Sequence, residues 1–181
     1  MLIGRVVIAE YLASGAIVCT PAPATIEAVH IDLHLGGAFW LPRQRINAAS
    51  LIDTDPAHAY TLFETSDTLY LPPRGFALAH TDEYAGSTVP WLCPFIETRS
   101  TMARWGIAAH VSAGWGDPGF CGRWTLELYN HQQFAIAIPV GARICSIGFH
   151  RVEGNDMLYT GRYNAPEDWT PSMMLPRAGN V

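Results

Sequence analysis

Short runs of Val, Ile, Leu, Phe, Tyr and Trp recur along this chain between its 13 prolines and 16 glycines. Runs of this kind, bounded by turn-forming residues, predict β-strands, and residues 72–75 and 139–141 are typical turns. The predicted strands are residues 30–35, 68–71, 76–81, 89–96, 124–129, 134–138 and 143–152. Only the first fifteen residues predict a helix, which ends at Gly15. We therefore expect an all-β protein with a short N-terminal helix.

Length and charge restrict the classes of function. The 181 residues suffice for one domain with its own core. The chain has 16 acidic and 11 basic side chains, a net charge of −5, and all its basic residues are arginines. This balance, with no basic run, argues against a nucleic-acid partner, and the lack of lysine excludes a P-loop and Schiff-base lysine chemistry. Glu10 interrupts the first apolar run, so we expect neither signal peptide nor membrane span, and a cytoplasmic location.

Cysteines and histidines do not form a recognisable metal motif. The cysteines, at positions 19, 93, 121 and 145, include no CxxC pair, which favours free thiols over disulfides or a metal site. Of seven histidines, only His30 and His34 fall within four residues of each other, and zinc would need further ligands. The His-x-Glu and Pro-Cys-x-x-Cys signature of zinc deaminases is also absent. We expect no protein-held metal and no zinc.

Glu127 lies in a segment whose apolar and polar residues alternate. In residues 124–129, Trp124, Leu126 and Leu128 share one face of a strand, so Glu127 points to the other face. Alternation by itself favours a solvated glutamate. The same simple interpretation makes Asp117 a turn residue in its Gly/Pro-rich loop.

Three ordered segments carry a more specific signal: residues 99–104 (RSTMAR), 110–120 (HVSAGWGDPGF) and 125–130 (TLELYN). In these segments the chain resembles the dCTP deaminase branch of the trimeric dUTPase superfamily, and weaker similarity covers residues 31–36, 69–79 and the chain down to Tyr163. The resemblance implies a distorted β-barrel that assembles as a homotrimer, with dCTP or dUTP bound between subunits. It also implies one domain over residues 1–163, followed by a C-terminal arm or mobile tail over 164–181.

The resemblance also implies roles for particular residues. The segment with Arg99, Ser100, Thr101 and Arg104 would hold the triphosphate, since guanidinium groups donate in pairs to phosphate oxygens. For Ser100 and Arg104 the sequence leaves open whether they place the water, the pyrimidine or the phosphates. Asp117 would accept a hydrogen bond from the deoxyribose 3′-hydroxyl, while Phe120 and the backbone at Ala113 would exclude a 2′-hydroxyl. The predicted binding residues are completed by Thr125, Tyr159 and Arg162, the last two in a shortened phosphate-clamping tail.

Glu127 is the predicted catalytic residue, because deaminases of this branch place a glutamate ten positions after the aspartate. There it deprotonates a water that adds to C4 of cytosine and returns the proton to the ring and the leaving ammonia. A closed pocket can lift a carboxyl pKa toward neutrality, which suits a group that acts as base and then as acid. The implied reaction is zinc-independent hydrolysis of dCTP to dUTP and ammonia.

Several alternatives stay open on the sequence. Ala113-Gly114-Trp115 fits members that continue to dUMP, whereas Ser146 replaces the glutamine that such members often carry. Mg²⁺ bridging the phosphates is expected from the family alone. The other hypotheses are a dUTPase-type diphosphatase in which Asp117 activates water, a non-catalytic nucleotide-binding or regulatory module, and a deaminase of a modified dCTP.

Overall fold

The computed structural model describes residues 1–43, 48–50, 54–161, 163–164 and 170–176. Its helices are α1 (Arg5–Ser14), α2 (Pro56–Ala59), α3 (Ser100–Arg104) and a 3₁₀ helix (Pro171–Met174). Its strands are β1 (Ile17–Thr20), β2 (Ile31–His34), β3 (Ala38–Pro42), β4 (Tyr60–Glu64), β5 (Thr68–Leu71), β6 (Phe76–Ser87), β7 (Leu92–Thr98), β8 (Ile107–Ala108), β9 (Cys121–Asn130), β10 (Ile136–Pro139) and β11 (Arg143–Arg151). The expected all-β protein with a short N-terminal helix is confirmed.

Antiparallel pairing joins these strands into three sheets within the described residues. The largest has the order β4-β3-β6-β9-β8, and β1 also pairs with β6. A second sheet has the order β2-β11-β7, and β5 pairs with β10. In the largest sheet Leu78 of β6 lies opposite Glu127 of β9, and Trp40 of β3 lies opposite Leu78. The side chains of this row are therefore neighbours on the same face of the sheet.

The core forms from the alternate residues that the strands turn inward. Leu126 and Leu128 of β9 are fully buried, as are Ile147 and Phe149 of β11. Burying one such side chain contributes roughly 1.5–3 kcal/mol. Because side chains alternate along a strand, the same pattern leaves Glu127 on the outer face of β9, as the sequence predicts.

The structure extends some of the predicted strands, shortens or shifts others, and adds new ones. Strand β6 continues to Ser87, six residues beyond the predicted end, because Tyr84, Ala85 and Gly86 pair with the start of β9 after a register shift. Strands β1, β3, β4 and β8, helices α2 and α3 and the 3₁₀ helix were not predicted. Each is at most five residues long, too short for a clear hydrophobic period, and the strands are defined by their pairing partners.

Helix α1 and residues 170–176 both pack on the barrel. Helix α1 ends at Gly15, which adopts the left-handed conformation with φ 79°, as expected for a glycine that stops a helix. At the other end, Met174 and Leu175 are buried in a cluster with Ala38 and Leu78. The indole Nε1 of Trp40 donates a 2.7 Å hydrogen bond to the carbonyl of Pro171. Residues 170–176 of the predicted C-terminal arm are thus held on the largest sheet.

Among the described residues, no helix has both the length and the apolar character needed to cross a membrane.

Candidate active site

A cavity of about 460 Å³ opens over the outer face of β9. It brings together six residues that the sequence predicts for the site: Ala113, Asp117, Phe120, Thr125, Glu127 and Tyr159. A cavity of this size falls in the range of small-molecule binding sites. These six residues come from β9, the loop before it and the segment after β11, so the fold joins parts of the chain that are distant in sequence.

Glu127 is held in place within this cavity. Its backbone N–H donates to the carbonyl of Ala109 at 3.0 Å, and its side-chain Oε2 accepts from the N–H of Val111, also at 3.0 Å. The side chain is half-buried between Leu78 on β6 and the segment around Val111. Such a carboxylate has a defined orientation toward the cavity, unlike a freely solvated glutamate, and can exchange a proton with a bound water or substrate.

The loop that carries Asp117 is a tight turn beside the cavity. The N–H of Phe120 donates to the carbonyl of Asp117 at 2.9 Å, and Gly119 adopts a φ of 92°, which glycine allows without strain. The ring of Phe120 packs edge-on against Trp124, with ring centroids 4.9 Å apart. Phe120 is therefore fixed as a wall of the cavity, while the Asp117 side chain remains exposed at its mouth.

Residues 113–116 form the next part of the rim. The carbonyl of Gly114 accepts from the N–H of Ile96 at 2.7 Å, and the N–H of Gly116 donates to the carbonyl of Pro94 at 2.9 Å. These bonds tie the segment to β7 and place Ala113 and Trp115 at the cavity. Trp115 is 69% exposed, which is unusual for so large an apolar ring and makes it available to a ligand.

The predicted phosphate-binding residues lie elsewhere on the chain. Arg99, Ser100, Thr101 and Arg104 are located at and within α3, and none of them lines the cavity that contains Glu127. Thr101 instead lines a separate, mostly apolar cavity of about 330 Å³ together with Trp105 and Phe134. The predicted site residues therefore form two groups on one chain.

Of the two predicted tail residues, the structure describes only Tyr159. The N–H of Tyr159 donates to the carbonyl of Pro118 at 2.7 Å, and its ring lies edge-on to Phe120 with centroids 6.1 Å apart. Tyr159 thus buttresses the loop of Asp117. Arg162, the other predicted tail residue, lies outside the described residues.

Sequence reasoning missed part of the cavity wall. Its missed members are Tyr60, Phe76, Leu78, Arg123, Met173 and Met174. Leu78 and Phe76 could be found only from the register of β6 against β9, which places them opposite Glu127 and Tyr129. The two methionines have no signal in the sequence, because the fold of the C-terminal segment brings them to the site.

The cysteines do not supply a nucleophile. All four are free, and burial, aided by the charge of Glu83, raises the pKa of Cys19 to about 12. Burial also raises the pKa of Cys121 to about 11. Since the thiolate is the reactive form, these groups are inert at neutral pH. Among the described residues, no group of three or more His, Cys, Asp or Glu side chains could hold a metal ion.

The histidines that the sequence singles out make local contacts. His30 lies near Asp32, and the backbone N–H of His34 donates to Glu83 at 2.8 Å. His110, which opens the HVSA segment, has its Nε2 3.6 Å from a carboxylate oxygen of Glu97 and does not line the cavity.

Fold and cavity together define a class: an all-β barrel in which strand β9 presents a fixed carboxylate to a nucleotide-sized cavity. A family model described as dCTP deaminase-like matches residues 3–152. The chain belongs to this family, as its motifs predict.

Full-length relatives carry one name. A protein of Sulfurihydrogenibium sp., called "dCTP deaminase, dUMP-forming", is 32% identical over 181 residues, covering 97% of this chain and 98% of its own. Proteins with the same name from Coprothermobacter proteolyticus and Aquifex aeolicus are 33% and 31% identical, with 90% or more of each chain covered.

A solved structure supports the fold. The crystal structure of 2′-deoxycytidine 5′-triphosphate deaminase from Agrobacterium tumefaciens superposes with a TM-score of 0.61 at 15% identity. The match covers 81% of this chain and 45% of that chain. The likeness supports the predicted β-barrel fold.

Proposed function

We propose that this protein hydrolyses dCTP to dUTP and ammonia without zinc, and then hydrolyses dUTP to dUMP and diphosphate. The observation that carries this proposal is the position of Glu127. Its carboxylate is oriented by the Val111 N–H and shares a cavity with Asp117, ten residues earlier. The full-length relatives named as dUMP-forming support the second step. Trp115 and Ser146 pointed in opposite directions on whether the reaction continues to dUMP, and these relatives favour that it does.

Glu127 performs the proton transfers of the first step. It removes a proton from a water whose oxygen adds to C4 of cytosine, and it delivers this proton to N3 of the ring. The same carboxylate then moves the proton of the new hydroxyl to the amino group, the C4–N bond breaks, and ammonia leaves. The hydrogen bond from Val111 keeps Oε2 oriented throughout this sequence.

The loop of Asp117 recognises the sugar in this proposal. Asp117 accepts from the 3′-hydroxyl, while Phe120 and Ala113 leave no room for a 2′-hydroxyl, and Thr125 lies beside the base. In the second step water attacks the α-phosphorus, the bond from that phosphorus to the bridging oxygen breaks, and diphosphate leaves. Asp117 is the candidate to activate this water.

The triphosphate is bound by a second subunit. Arg99, Ser100, Thr101 and Arg104 do not line the cavity of their own chain, and in this proposal the two groups of residues meet when subunits assemble. Near α3, Trp105 is 60% and Phe134 51% exposed, which suits a surface that another subunit covers. We therefore propose a homotrimer with one nucleotide at each subunit interface. Tyr159 and Arg162 of the tail complete the enclosure.

Mg²⁺ binds through the nucleotide phosphates in this proposal and offsets their negative charge. Mg²⁺ commonly binds nucleotides through phosphate oxygens with few protein ligands. The cytoplasm, where deoxynucleotides are used, is the proposed location.

The test is to incubate the protein with dCTP and Mg²⁺, follow ammonia, and separate the nucleotides by ion exchange. Wild type should release ammonia and form dUMP. In Glu127→Gln the rate of ammonia release should fall by about 10²–10⁴-fold, while the affinity for dCTP should change little. Glu10→Gln, on the exposed side of α1, is the matched control and should behave as wild type.

Other outcomes choose other functions. Turnover retained in Glu127→Gln contradicts the assignment of this residue. Diphosphate release from dUTP with no ammonia from dCTP selects the diphosphatase, and tight binding of dCTP without turnover selects a regulatory module. EDTA that leaves the rate unchanged would contradict the role of Mg²⁺.

A further inference from the structure

One carboxylate, that of Asp32 on β2, binds two arginines. Its Oδ2 accepts from Nη1 of Arg99 and, at 3.3 Å, from Nη1 of Arg143. Its Oδ1 accepts from Oγ of Ser146 at 3.2 Å and lies 3.5 Å from Nε2 of His30. Because both Nη1 atoms share one oxygen, the two guanidinium groups are side by side.

The charges of this cluster do not cancel. Two guanidinium groups and one carboxylate leave one positive charge, and the side chain of Asp32 is only 11% exposed. Two further carboxylates lie on neighbouring strand positions, but Glu83 is bonded to His34 and Glu97 lies beside His110. Among the described residues, Asp32 is the only acidic partner of either arginine. The cluster therefore attracts an anion.

The arginines still have donors to offer. A guanidinium carries five N–H donors, and each arginine uses Nη1 on Asp32. The Arg143 side chain is 57% exposed, against 23% for Arg99. Two adjacent guanidinium groups with free N–H pairs match the oxygens of linked phosphates, which accept bidentate hydrogen bonds.

We propose that Arg143 is a further nucleotide-binding residue, and that Asp32 holds Arg99 and Arg143 together as a clamp for the β- and γ-phosphates. The inference rests on the proposed function, which has Arg99 at the triphosphate. Arg99 directly precedes Ser100 of α3, so a phosphate chain bound there lies within reach of Arg143. The clamp holds the diphosphate that leaves when dUTP becomes dUMP.

Asp32 is a positioning residue in this clamp and does not contact the nucleotide. Its negative charge offsets the repulsion between two guanidinium groups and orients both through a shared oxygen. Ser146, bonded to Oδ1, fixes the carboxylate in turn. Ser146 thus belongs to the phosphate end of the site in this proposal.

The test compares Arg143→Gln with Arg151→Gln, an exposed arginine at the end of the same strand that bonds to Tyr11. Arg143→Gln should raise KM for dCTP about tenfold or more and weaken binding of inorganic pyrophosphate, measured by calorimetry, to a similar degree. The kcat for ammonia release should stay within about twofold, because the clamp is remote from C4. Arg151→Gln should change neither quantity.

A double-mutant cycle of Asp32→Asn and Arg143→Gln distinguishes a positioning role of Asp32 from a merely structural role. Asp32→Asn should weaken pyrophosphate binding at an unchanged circular dichroism spectrum, and adding Arg143→Gln should cost less than the two separate effects combined. Should Arg143→Gln fail to fold, Arg143→Lys, which keeps the charge but loses the paired donors, should give an intermediate affinity.

Unchanged KM and unchanged pyrophosphate affinity in Arg143→Gln, or in Arg143→Lys if only that variant folds, would overturn the clamp. Its failure is distinct from failure of the proposed function. If wild type releases no ammonia from dCTP, yet binds pyrophosphate in a way that depends on Arg143, the clamp stands and the deaminase assignment falls.

Discussion

Two single residues matter for the site and its sheet. At one, the backbone leaves no room for a side chain, and at the other, the hydrogen bonds allow only one charge state. Gly119 adopts a positive φ in the loop of Asp117, and a Cβ there would lie 2.9 Å from the backbone N of Tyr159. His80 of β6 is buried, and its ring bonds to two backbone groups. Each of these positions leads to a prediction.

Gly119→Ala should destabilise the protein and weaken nucleotide binding. Left-handed backbone costs a non-glycine residue roughly 1 kcal/mol, and the contact with Tyr159 must also be relieved by moving the loop. The control is Gly154→Ala, since Gly154 has a φ of 75° but no atom near the position of its Cβ. Both variants should lose stability in urea, and only Gly119→Ala should raise KM for dCTP. Equal KM values in the two variants would contradict a role for this loop in binding.

His80 should make the fold sensitive to mild acid. Its Nε2 accepts from the N–H of Ala38 at 3.2 Å, and its Nδ1 lies 2.9 Å from the carbonyl of Thr81, an arrangement that requires a neutral ring. Burial, and to a lesser extent the charge of Arg123, lowers the pKa of His80 below its ordinary value of 6.5. The unfolded chain then takes up a proton that the folded protein does not, so this stability is present above pH 6.5 and falls as the pH drops below it.

The measurement is Tm from about pH 7.5 down to about pH 5 for wild type, His80→Gln and the exposed control His58→Gln. The Tm of wild type and of His58→Gln should fall together across this range. The Tm of His80→Gln should start lower and depend less on pH. A slope that persists in His80→Gln would assign the acid sensitivity to other groups.

At the scale of secondary-structure elements, β9, β6 and the 3₁₀ helix each supply one part of the candidate site. Strand β9 presents Thr125 and Glu127 on the face opposite the core, and β6 places Leu78 next to Glu127. The 3₁₀ helix at residues 171–174 then covers this row, with Met174 and Leu175 buried. The C-terminal segment is thus a wall of the cavity as well as part of the packing of the sheet.

Leu175→Ala should loosen that wall. Leu175 is buried against the sheet, and removing such a side chain typically costs about 2 kcal/mol or more. Ser172→Ala, on the exposed side of the same segment, is the control and should be nearly neutral. Amide hydrogen exchange at residues 173–175 should accelerate in Leu175→Ala, and KM for dCTP should rise. Unchanged exchange would mean that the segment is held mainly by the Trp40 bond to Pro171.

At the scale of the whole molecule, the division of the site into two groups has a kinetic consequence. Glu127 belongs to the cavity group and Arg104 to the group on α3. If each active site takes one group from each of two subunits, two inactive variants can complement each other. One variant loses the first group, and the other loses the second.

Glu127→Gln and Arg104→Ala, each inactive at low dCTP, should therefore recover activity when co-expressed. In randomly mixed oligomers, about a quarter of interfaces unite an intact Glu127 with an intact Arg104, so about a quarter of the wild-type rate is expected. Mixing the purified variants without subunit exchange is the control. No recovery in oligomers shown to be mixed would place both groups of one site on a single chain.

The sequence by itself determines the features that depend only on residues close together in the chain. Alternation in residues 124–129 places Glu127 outside the core, and Gly15 ends the N-terminal helix. Three short segments, residues 99–104, 110–120 and 125–130, carry the resemblance to the family whose model matches the chain. Each depends on side-chain periodicity, turn chemistry or motif spacing, which neighbouring residues set without reference to the rest of the chain.

Tertiary structure alone decides what comes from distant segments. The register that sets Leu78 against Glu127, the cover provided by Met174 and Leu175, and the pairing of Arg143 with Asp32, 111 residues apart, have no local signature. A strand could pair with many partners in many registers, and the observed pairing depends on the apolar surface buried and the hydrogen bonds formed over the whole sheet. For that reason the strand that carries Glu127 can be predicted from the sequence, while the walls of the cavity and the neighbours of the arginines follow only from the fold.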